Sequence, residues 1–533
     1  MKKMIEFIKT IFDDKKKFIL ILTIISSIPI FITWDIPISH DILFHLSRVK
    51  GLSYEIGIKS FPILIYHSFI FNMGYASNLF YPDLFLYPFA ILNKFIPINI
   101  VYKLLILSLN YASIYSVYFV LSKLFKNRER IWGTILYTFS SYRLTDLYIR
   151  GNVGESLGFI FFPLVILGLE ELINGDKRKY YYLVIGMTGL IYSHIISTYI
   201  VGIFIFFYIL LNIKKLFKEK RYLYLMKAAL ITFLLTCAFL VPMVEQMVDR
   251  HGYIHYLRTS SYDNIASPLL YLFPEVSLPS NTWYPVGIGL IYLAFIILAI
   301  KERKKVSYQT WIYGLLGVLF LIMSTNLVPR FIYNKVLIFI QYQWRFYMIA
   351  TLSLLIFGMK LLPILSDKTK LILKNYTFYS IIVVLTLVLV NTFIYGSVHD
   401  FNGEYLGYYE YLPENITYDQ IKNGPVSAAS SNKIDYNINY SRGITTISYK
   451  NNSYDDTVLT LPILYYKGYV SNKNYDIINN NGLVAIKLNK DSDLVKVYYE
   501  GTDLLYISRV ISLTTLIVIV TRYVRKRSRD VKV

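Results

Sequence analysis

The sequence predicts a polytopic α-helical membrane protein of about twelve spans, with a small extracytoplasmic β-sandwich near the C-terminus. Three observations carry that reading. First, the 533 residues are 55% hydrophobic and only 17% charged, where soluble domains carry roughly 25% charge. Second, apolar runs long enough to cross a bilayer recur along most of the chain. Third, the net charge of +21 is concentrated in short segments between those runs.

The expected spans lie at 18–34, 100–122, 131–146, 156–173, 180–196, 197–213, 225–243, 286–300, 308–328, 346–365, 376–396 and 503–521. The first follows "KKKF" and lacks a small-residue cleavage site, so it reads as a retained helix. The connections 1–17, 123–130, 174–179, 214–222, 301–305, 366–374 and 522–533 hold about 31 Lys and Arg against about 9 Asp and Glu, the positive-inside bias. These segments are therefore read as cytoplasmic, together with both termini. They account for the basic balance without nucleic-acid binding. Bias toward Lys, Asn, Ile and Tyr fits an AT-rich bacterial genome, so the expected location is a bacterial cell membrane.

This topology gives a membrane domain over 1–396, an extracytoplasmic β domain over 397–502, and a last helix with a basic cytoplasmic tail over 503–533. The first outer loop, 35–99, contains "NLFYPDLFLYPFAILNKFIP". Its prolines break a spanning helix, so it reads as interfacial helices with Tyr and Phe at headgroup depth. Further outer segments are expected at 140–156, about 244–285, and 329–345. In 397–502 the composition turns to Asn, Asp, Tyr and Ser, with period-2 runs such as "GITTISYK" and "GLVAIKLN" separated by "NN", "NG" and "KG" turns.

Ionisable residues gather at the outer ends of the apolar runs. In "ISHDILFHLSRVKG", Ser39 is placed to cap a short helix with Asp41 in its first turn; His45 and Arg48 follow at helical spacing. One reading is a polar face looking into a cavity. The other is an ordinary amphipathic helix with its charged side in water. The second loop adds Arg143, Asp146, Arg150 and Glu155, and the fourth adds Gln341, Trp344 and Arg345. Charges near the hydrocarbon boundary are functional candidates, with mutual pairing as the alternative. His194 closes an apolar run and reads as a packed residue more readily than as a ligand.

The only cysteine, Cys237, lies in an apolar run, which leaves no disulfide or CxxC pair within the chain. Neither a paired-histidine zinc motif nor a Walker lysine, a GxSxG turn or a dinucleotide fingerprint is present. No cofactor is expected, and a divalent cation is not indicated.

Several motifs together, "SHDILFHLSRVKGL", Phe61–Pro62, "GYASNLFYPDLFLYPFAIL", "IQYQWRF" and "LPILYYKGY", resemble a bacterial family of polytopic membrane proteins called 6-pyruvoyl-tetrahydropterin synthase-related, neighbours of the YfhO-like proteins. The His-rich zinc site of the soluble pterin enzymes has no counterpart here. The layout is also similar to that of the GT-C glycosyltransferases, whose long first outer loop carries an acidic residue. That resemblance implies a polyprenyl-phosphate-linked sugar donor and an envelope glycopolymer or glycolipid acceptor. It also implies Asp41 as catalytic carboxylate and Asp146 as its support. The chain departs from the pattern in having no adjacent acidic pair in the first loop.

On that reading Arg150 and Arg345 suit phosphate oxygens, His45 orients the carboxylate or the sugar, and Arg48, Glu155, His194 and Gln341 complete a substrate-binding set. Two alternatives remain: a transporter or flippase of a lipid-linked envelope precursor, and a non-enzymatic envelope assembly protein.

Overall fold

The computed structural model describes residues 14–57, 61–248 and 287–530, apart from 395, 400, 402–410, 414, 433, 442, 452–456 and 489–491. The expected outer segment at 244–285 lies outside the described residues from 249 onward, as does most of the expected N-terminal cytoplasmic piece 1–17.

The main helices are α1 (Lys15–Ser26), α2 (Ile42–Glu55), α3 (Tyr87–Leu92), α4 (Ile98–Leu124), α5 (Asn127–Thr138), α6 (Val153–Ile173), α7 (Tyr181–Ile191), α8 (Ile195–Leu211), α9 (Tyr222–Val248), α10 (Leu290–Lys301), α11 (Tyr308–Met323), α12 (Phe346–Leu361), α13 (Asp367–Ile394) and α14 (Asp503–Asp530). Among the described residues, six helical stretches are long and apolar enough to cross a membrane: Ile98–Leu124, Val153–Ile173, Tyr222–Val248, Gln343–Ile364, Asp367–Ile394 and Asp503–Ser528. A seventh apolar stretch, from Ile195, bends by 81° after Leu211. These helices are compatible with a multi-pass membrane protein.

The other apolar runs are helical but shorter than a span. In the first, α1 stops at Ser26 and a tight 3-10 turn, Ile28–Phe31, carries Pro29. Proline has no N–H to continue the ladder, and its ring crowds the preceding turn. The runs at 180–196 and 197–213 are divided at Tyr192–His194, and α10 and α11 have 12 and 16 residues.

The chain falls into two compact units. One comprises residues up to Leu46, Ile96–Thr232 and Ser260–Asn402; the other comprises Ser47–Phe95, Phe233–Thr259 and Gly403–Val533. In the first, α6 packs against α4 and α7, while α12 packs against α11, α10 and α5. These two helices are the most enclosed of the spanning set. Val165, Ile166, Leu167 and Leu169 of α6 are fully buried, as are Ile349, Leu354, Leu355 and Ile356 of α12. A two-residue ladder joins β1 (Ile36–Pro37) to β2 (Ser397–Val398).

The second unit holds the β-rich region. Its strands are β3 (Ala429–Ser430), β4 (Asp435–Ser441), β5 (Ile444–Lys450), β6 (Thr457–Leu464), β7 (Tyr469–Ser471), β8 (Ile477–Asn480), β9 (Leu483–Leu488) and β10 (Ser492–Tyr499). They form two four-stranded antiparallel sheets, β4-β5-β10-β7 and β3-β6-β9-β8. Ile447, Val495, Val497, Leu459, Leu461, Val484 and Ile486 supply the apolar core. Asn481 and Gly482, both at positive φ, close the β8–β9 hairpin in two residues, as the "NG" signal predicts.

The segment 61–95 belongs to the same unit. It is built of short 3-10 turns, a Tyr66–Tyr75 bridge and the six-residue α3. None of it is a spanning helix. Leu84, Ile91, Leu92 and Phe95 are exposed apolar residues on it.

Candidate functional site

The site lies in the first unit, where the chain enters α6 and α12. Ahead of α6, residues Thr145–Arg150 form a wide π-type turn that ends at Gly151, whose φ is +63°. A Cβ at Gly151 would collide with the Ser39 side chain and stand 2.9 Å from Ile42 Cβ. Glycine therefore lets segment 39–42 lie against the turn. Two backbone bonds fix that contact: His40 N–H donates to the Ile149 carbonyl (3.3 Å) and Asp41 N–H to the Arg150 carbonyl (2.7 Å).

Helix α2 starts at Ile42, after both of these residues. Asp41 is thus not inside the first turn, as the sequence suggested. It stands at the cap, its carbonyl accepting from His45 N–H at 3.1 Å.

The side chains then converge. Asn152 caps α6 through Oδ1, which accepts from Glu155 N–H at 2.9 Å, and its Nδ2 donates to Asp41 Oδ2 at 3.1 Å. Arg150 Nη1 lies 2.8 Å from both Asp146 Oδ1 and Glu155 Oε2, and Nη2 stands 3.9 Å from Asp41 Oδ2. Ser156 Oγ donates to Asp146 Oδ2 at 3.2 Å, and Tyr142 Oη donates to Glu155 Oε1. Glu155 lies in the first turn of α6, where the helix dipole favours a carboxylate.

From the other side comes the turn Gln343–Arg345 that leads into α12. Arg345 Nε is 3.4 Å from Glu155 Oε2, and Nη1 donates to Gln341 Oε1 at 2.8 Å and to the Ile340 carbonyl at 3.1 Å. Gln341 has φ +66° and ψ −53°, and Tyr342 N–H returns to the Ile340 carbonyl at 2.7 Å. This is the rare γ-turn that strains a residue with a side chain. Trp344 stacks on Tyr342 (4.3 Å) and lies 5.9 Å from the Arg150 guanidinium.

The cluster therefore joins three carboxylates to two guanidinium groups. Burial, reinforced by the Glu155 charge, pushes the Asp146 carboxyl well above the usual carboxylate range, against the pull of Arg150. Asp41 is the accessible member, its side chain 39% exposed, while Asp146, Glu155, Arg150 and Arg345 are buried.

Of the predicted residues, Asp41, Asp146, Arg150, Glu155, Gln341 and Arg345 come together. His45 is buried on α2. Arg48 belongs to the second unit, where its Nη2 donates to the Tyr81 and Pro82 carbonyls (2.9 and 2.8 Å) and its guanidinium lies over the Tyr81 ring. With both residues buried, α2 does not turn a charged side to water. His194 caps α8, its Nδ1 paired with Ser197 Oγ at 2.8 Å. Arg143 turns away to the Thr138 carbonyl, Asn110 Oδ1 and Ser113 Oγ.

Sequence reasoning passed over three residues here. Asn152 was legible as a helix cap but not as the hand that holds Asp41. His40 neighbours Asp41, and burial lowers its pKa against the raising effect of that carboxylate. Gln343 is buried, and its Nε2, like Trp344 Nε1, has no hydrogen-bond partner. Buried donors without acceptors call for an explanation, a bound acceptor being one. Among the described residues no three His, Cys, Asp or Glu side chains are grouped to hold a metal ion. No protein-family model matches this chain, and no curated protein matches it.

Proposed function

We propose that this chain is an integral-membrane glycosyltransferase of GT-C type. It takes a sugar from a polyprenyl-phosphate carrier on the outer face of a bacterial cell membrane and passes it to an envelope polymer or lipid. The observation that carries the reading is the position of Asp41: one accessible carboxylate, held by Asn152 and by the Arg150 backbone, at the edge of a buried charge cluster.

In this reaction the acceptor hydroxyl attacks the anomeric carbon. The bond from that carbon to the phosphate oxygen breaks, and the electron pair leaves with the phosphate. Asp41 takes the hydroxyl proton. Arg150 Nη2 and the unpartnered N–H groups of Gln343 and Trp344 supply positive edges for the leaving oxygens. Asp146, Glu155 and Arg345 act as positioning residues, since their contacts hold Arg150 and the turn before α12 rather than reach outward. Both termini are then cytoplasmic, and the β domain faces the outside.

The test is sugar transfer by membranes carrying Asp41→Asn, supplied with a glycosyl-polyprenyl phosphate. The variant should fold and fail to transfer. Turnover equal to wild type would remove Asp41 from the chemistry.

One observation favours a second reading, a transporter of a lipid-linked precursor. Buried charges sit where helical geometry is interrupted, at Thr145–Arg150 and Gln341–Arg345. A transporter would move labelled lipid across vesicles without making a glycosidic bond.

A further inference from the structure

The reaction above makes no use of the β region, and that region has one edge unlike the others. In the sheet β4-β5-β10-β7, β4 pairs with β5 on one side and, among the described residues, with no strand on the other. The remaining edges are short: β7 has three residues, β3 two and β8 four, whereas β4 has seven. Natural sheets blunt a long edge with proline, lysine or a bulge. The β4 sequence "DYNINYS" has neither residue, and its register with β5 runs unbroken from Asp435–Lys450 to Ser441–Ile444.

The ladder fixes which backbone groups face the open side. Asn472 N–H donates to the Lys496 carbonyl at 3.0 Å, so Lys496 turns its backbone toward the β7 side, and Val495 and Val497 turn theirs toward β5. Alternation through the β10–β5 and β5–β4 pairings carries this to the edge. Asn437 and Asn439 direct their N–H and C=O groups to β5. Tyr436, Ile438 and Tyr440 direct theirs away from the sheet. Every residue of β4 is exposed except Ile438, which is half-buried.

Side chains follow the same alternation. Tyr436 stands across from Tyr449, Ile438 from Ile447 and Tyr440 from Thr445, and all three partners are buried. The three β4 side chains therefore lie on the core side of the sheet, yet Tyr436 and Tyr440 keep 38% and 37% of their surface exposed. Apolar surface is thus left at the edge beside unpaired backbone.

The sequence of the edge says what fits it. Residues 436–440 read Tyr-Asn-Ile-Asn-Tyr, the same in both directions. A second copy running antiparallel about a two-fold axis at Ile438 sets Tyr436 across from Tyr440, Asn437 across from Asn439, and Ile438 across from itself. Such a contact is isologous, the same patch serving both subunits, and a palindrome suits it. The axis falls on a residue whose N–H and C=O point outward, so Ile438 and both tyrosines sit at pairs that exchange N–H···O bonds. The tyrosines meet as aromatic cross-strand pairs, and on the other face each asparagine amide meets a group that both donates and accepts.

We infer that β4 is the docking edge for β4 of a second copy of this chain, joining two four-stranded sheets into one. The inference stands on the β region alone and is independent of the proposed sugar transfer.

The test is oxidative cross-linking of the full chain in membranes, read as covalent dimer. Wild type, whose single Cys237 is buried, should give none. Ile438→Cys should give dimer, because directly paired residues lie about 5.5 Å apart, within disulfide reach. Tyr436→Cys alone and Tyr440→Cys alone should not, since each stands about 14 Å from its own image. Co-expression of those two variants should restore the dimer. Tyr440→Pro, added to Ile438→Cys, removes an N–H from the open side and none from the β5 ladder, so it should abolish cross-linking while the protein stays folded.

Four results would overturn the inference. No dimer from Ile438→Cys means that no second copy reaches this edge. Equal dimer from Tyr436→Cys alone and from the co-expressed pair reduces the contact to random collision. Cross-linking that survives Tyr440→Pro takes the edge backbone out of the contact. A covalent product joining Ile438→Cys to a different protein gives the edge to another partner.

Discussion

Asp41 and Arg150 meet twice: the Asp41 amide donates to the Arg150 carbonyl at 2.7 Å, and the Asp41 carboxylate stands 3.9 Å from the Arg150 guanidinium. The first contact fixes where the backbone passes, and the second sets the charge next to the carboxylate. Their energetics differ sharply. The backbone bond belongs to a buried turn, whereas the ion pair is long and half open to water.

That difference predicts a ranking. Asp41→Asn should cost less than about 1 kcal/mol, because a screened, partly exposed pair contributes little. Arg150→Ala should cost about 3–5 kcal/mol, since it leaves Glu155 without its 2.8 Å partner inside the protein. Thermal unfolding of both variants in the same detergent checks this. Equal losses would mean that Arg150 is not the centre of the cluster.

Gly151 offers a separate test of how Asp41 is placed. Gly151→Ala meets both a positive φ and the Ser39 and Ile42 atoms, so it should destabilise by more than the ~1 kcal/mol of a conformational penalty alone. Gly202, in the middle of α8, has nothing within 4 Å of an added Cβ. Gly202→Ala should be neutral or stabilising by up to about 1 kcal/mol. Unfolding midpoints that move in the same direction for both would remove the steric account of the turn.

The second unit predicts a pH effect. Burial, opposed by the Arg48 charge, pushes the Asp83 carboxyl up to about 7, and its Oδ2 has no hydrogen-bond partner. The unfolded chain gives up this proton near the ordinary carboxylate value, so between about pH 4 and 7 the folded state holds more protons. Stability must then fall as pH rises through that window and level off above it. Each unit is worth about 1.4 kcal/mol. Asp83→Asn should flatten this slope and be the more stable protein at pH 8. Parallel pH profiles for the two proteins would mean that Asp83 titrates normally.

The carboxylates and arginines of the site were legible in the sequence because charges beside apolar runs stand out. What they do to one another was not. Arg48 has helical spacing from Asp41 and His45, yet spacing gives a direction and not a partner; the carbonyls of Tyr81 and Pro82 lie more than thirty residues away. Hydropathy likewise cannot see backbone bonds, so the break at Pro29 reads as an uninterrupted apolar run, and the division at Tyr192–His194 falls a few residues before the expected boundary at 196 and 197. Local chemistry was readable where the turn itself dictates it, as at Asn481–Gly482. Gln341 is the contrary case, since its γ-turn is held by Arg345 and nothing in "IQYQWRF" marks it.

The unpartnered donors before α12 supply the last prediction. Gln343→Met keeps the volume and removes a buried N–H group that lacks an acceptor. If no ligand fills the site during purification, that change should be neutral or stabilising by about 1 kcal/mol. In the proposed transferase the same change should slow sugar transfer, because the group that would meet a leaving oxygen is gone. Unfolding midpoint and turnover measured on one preparation therefore separate the two roles. A residue that serves only packing would lose stability and keep its turnover; a ligand-facing donor should show the opposite pattern, as where a site trades stability for function.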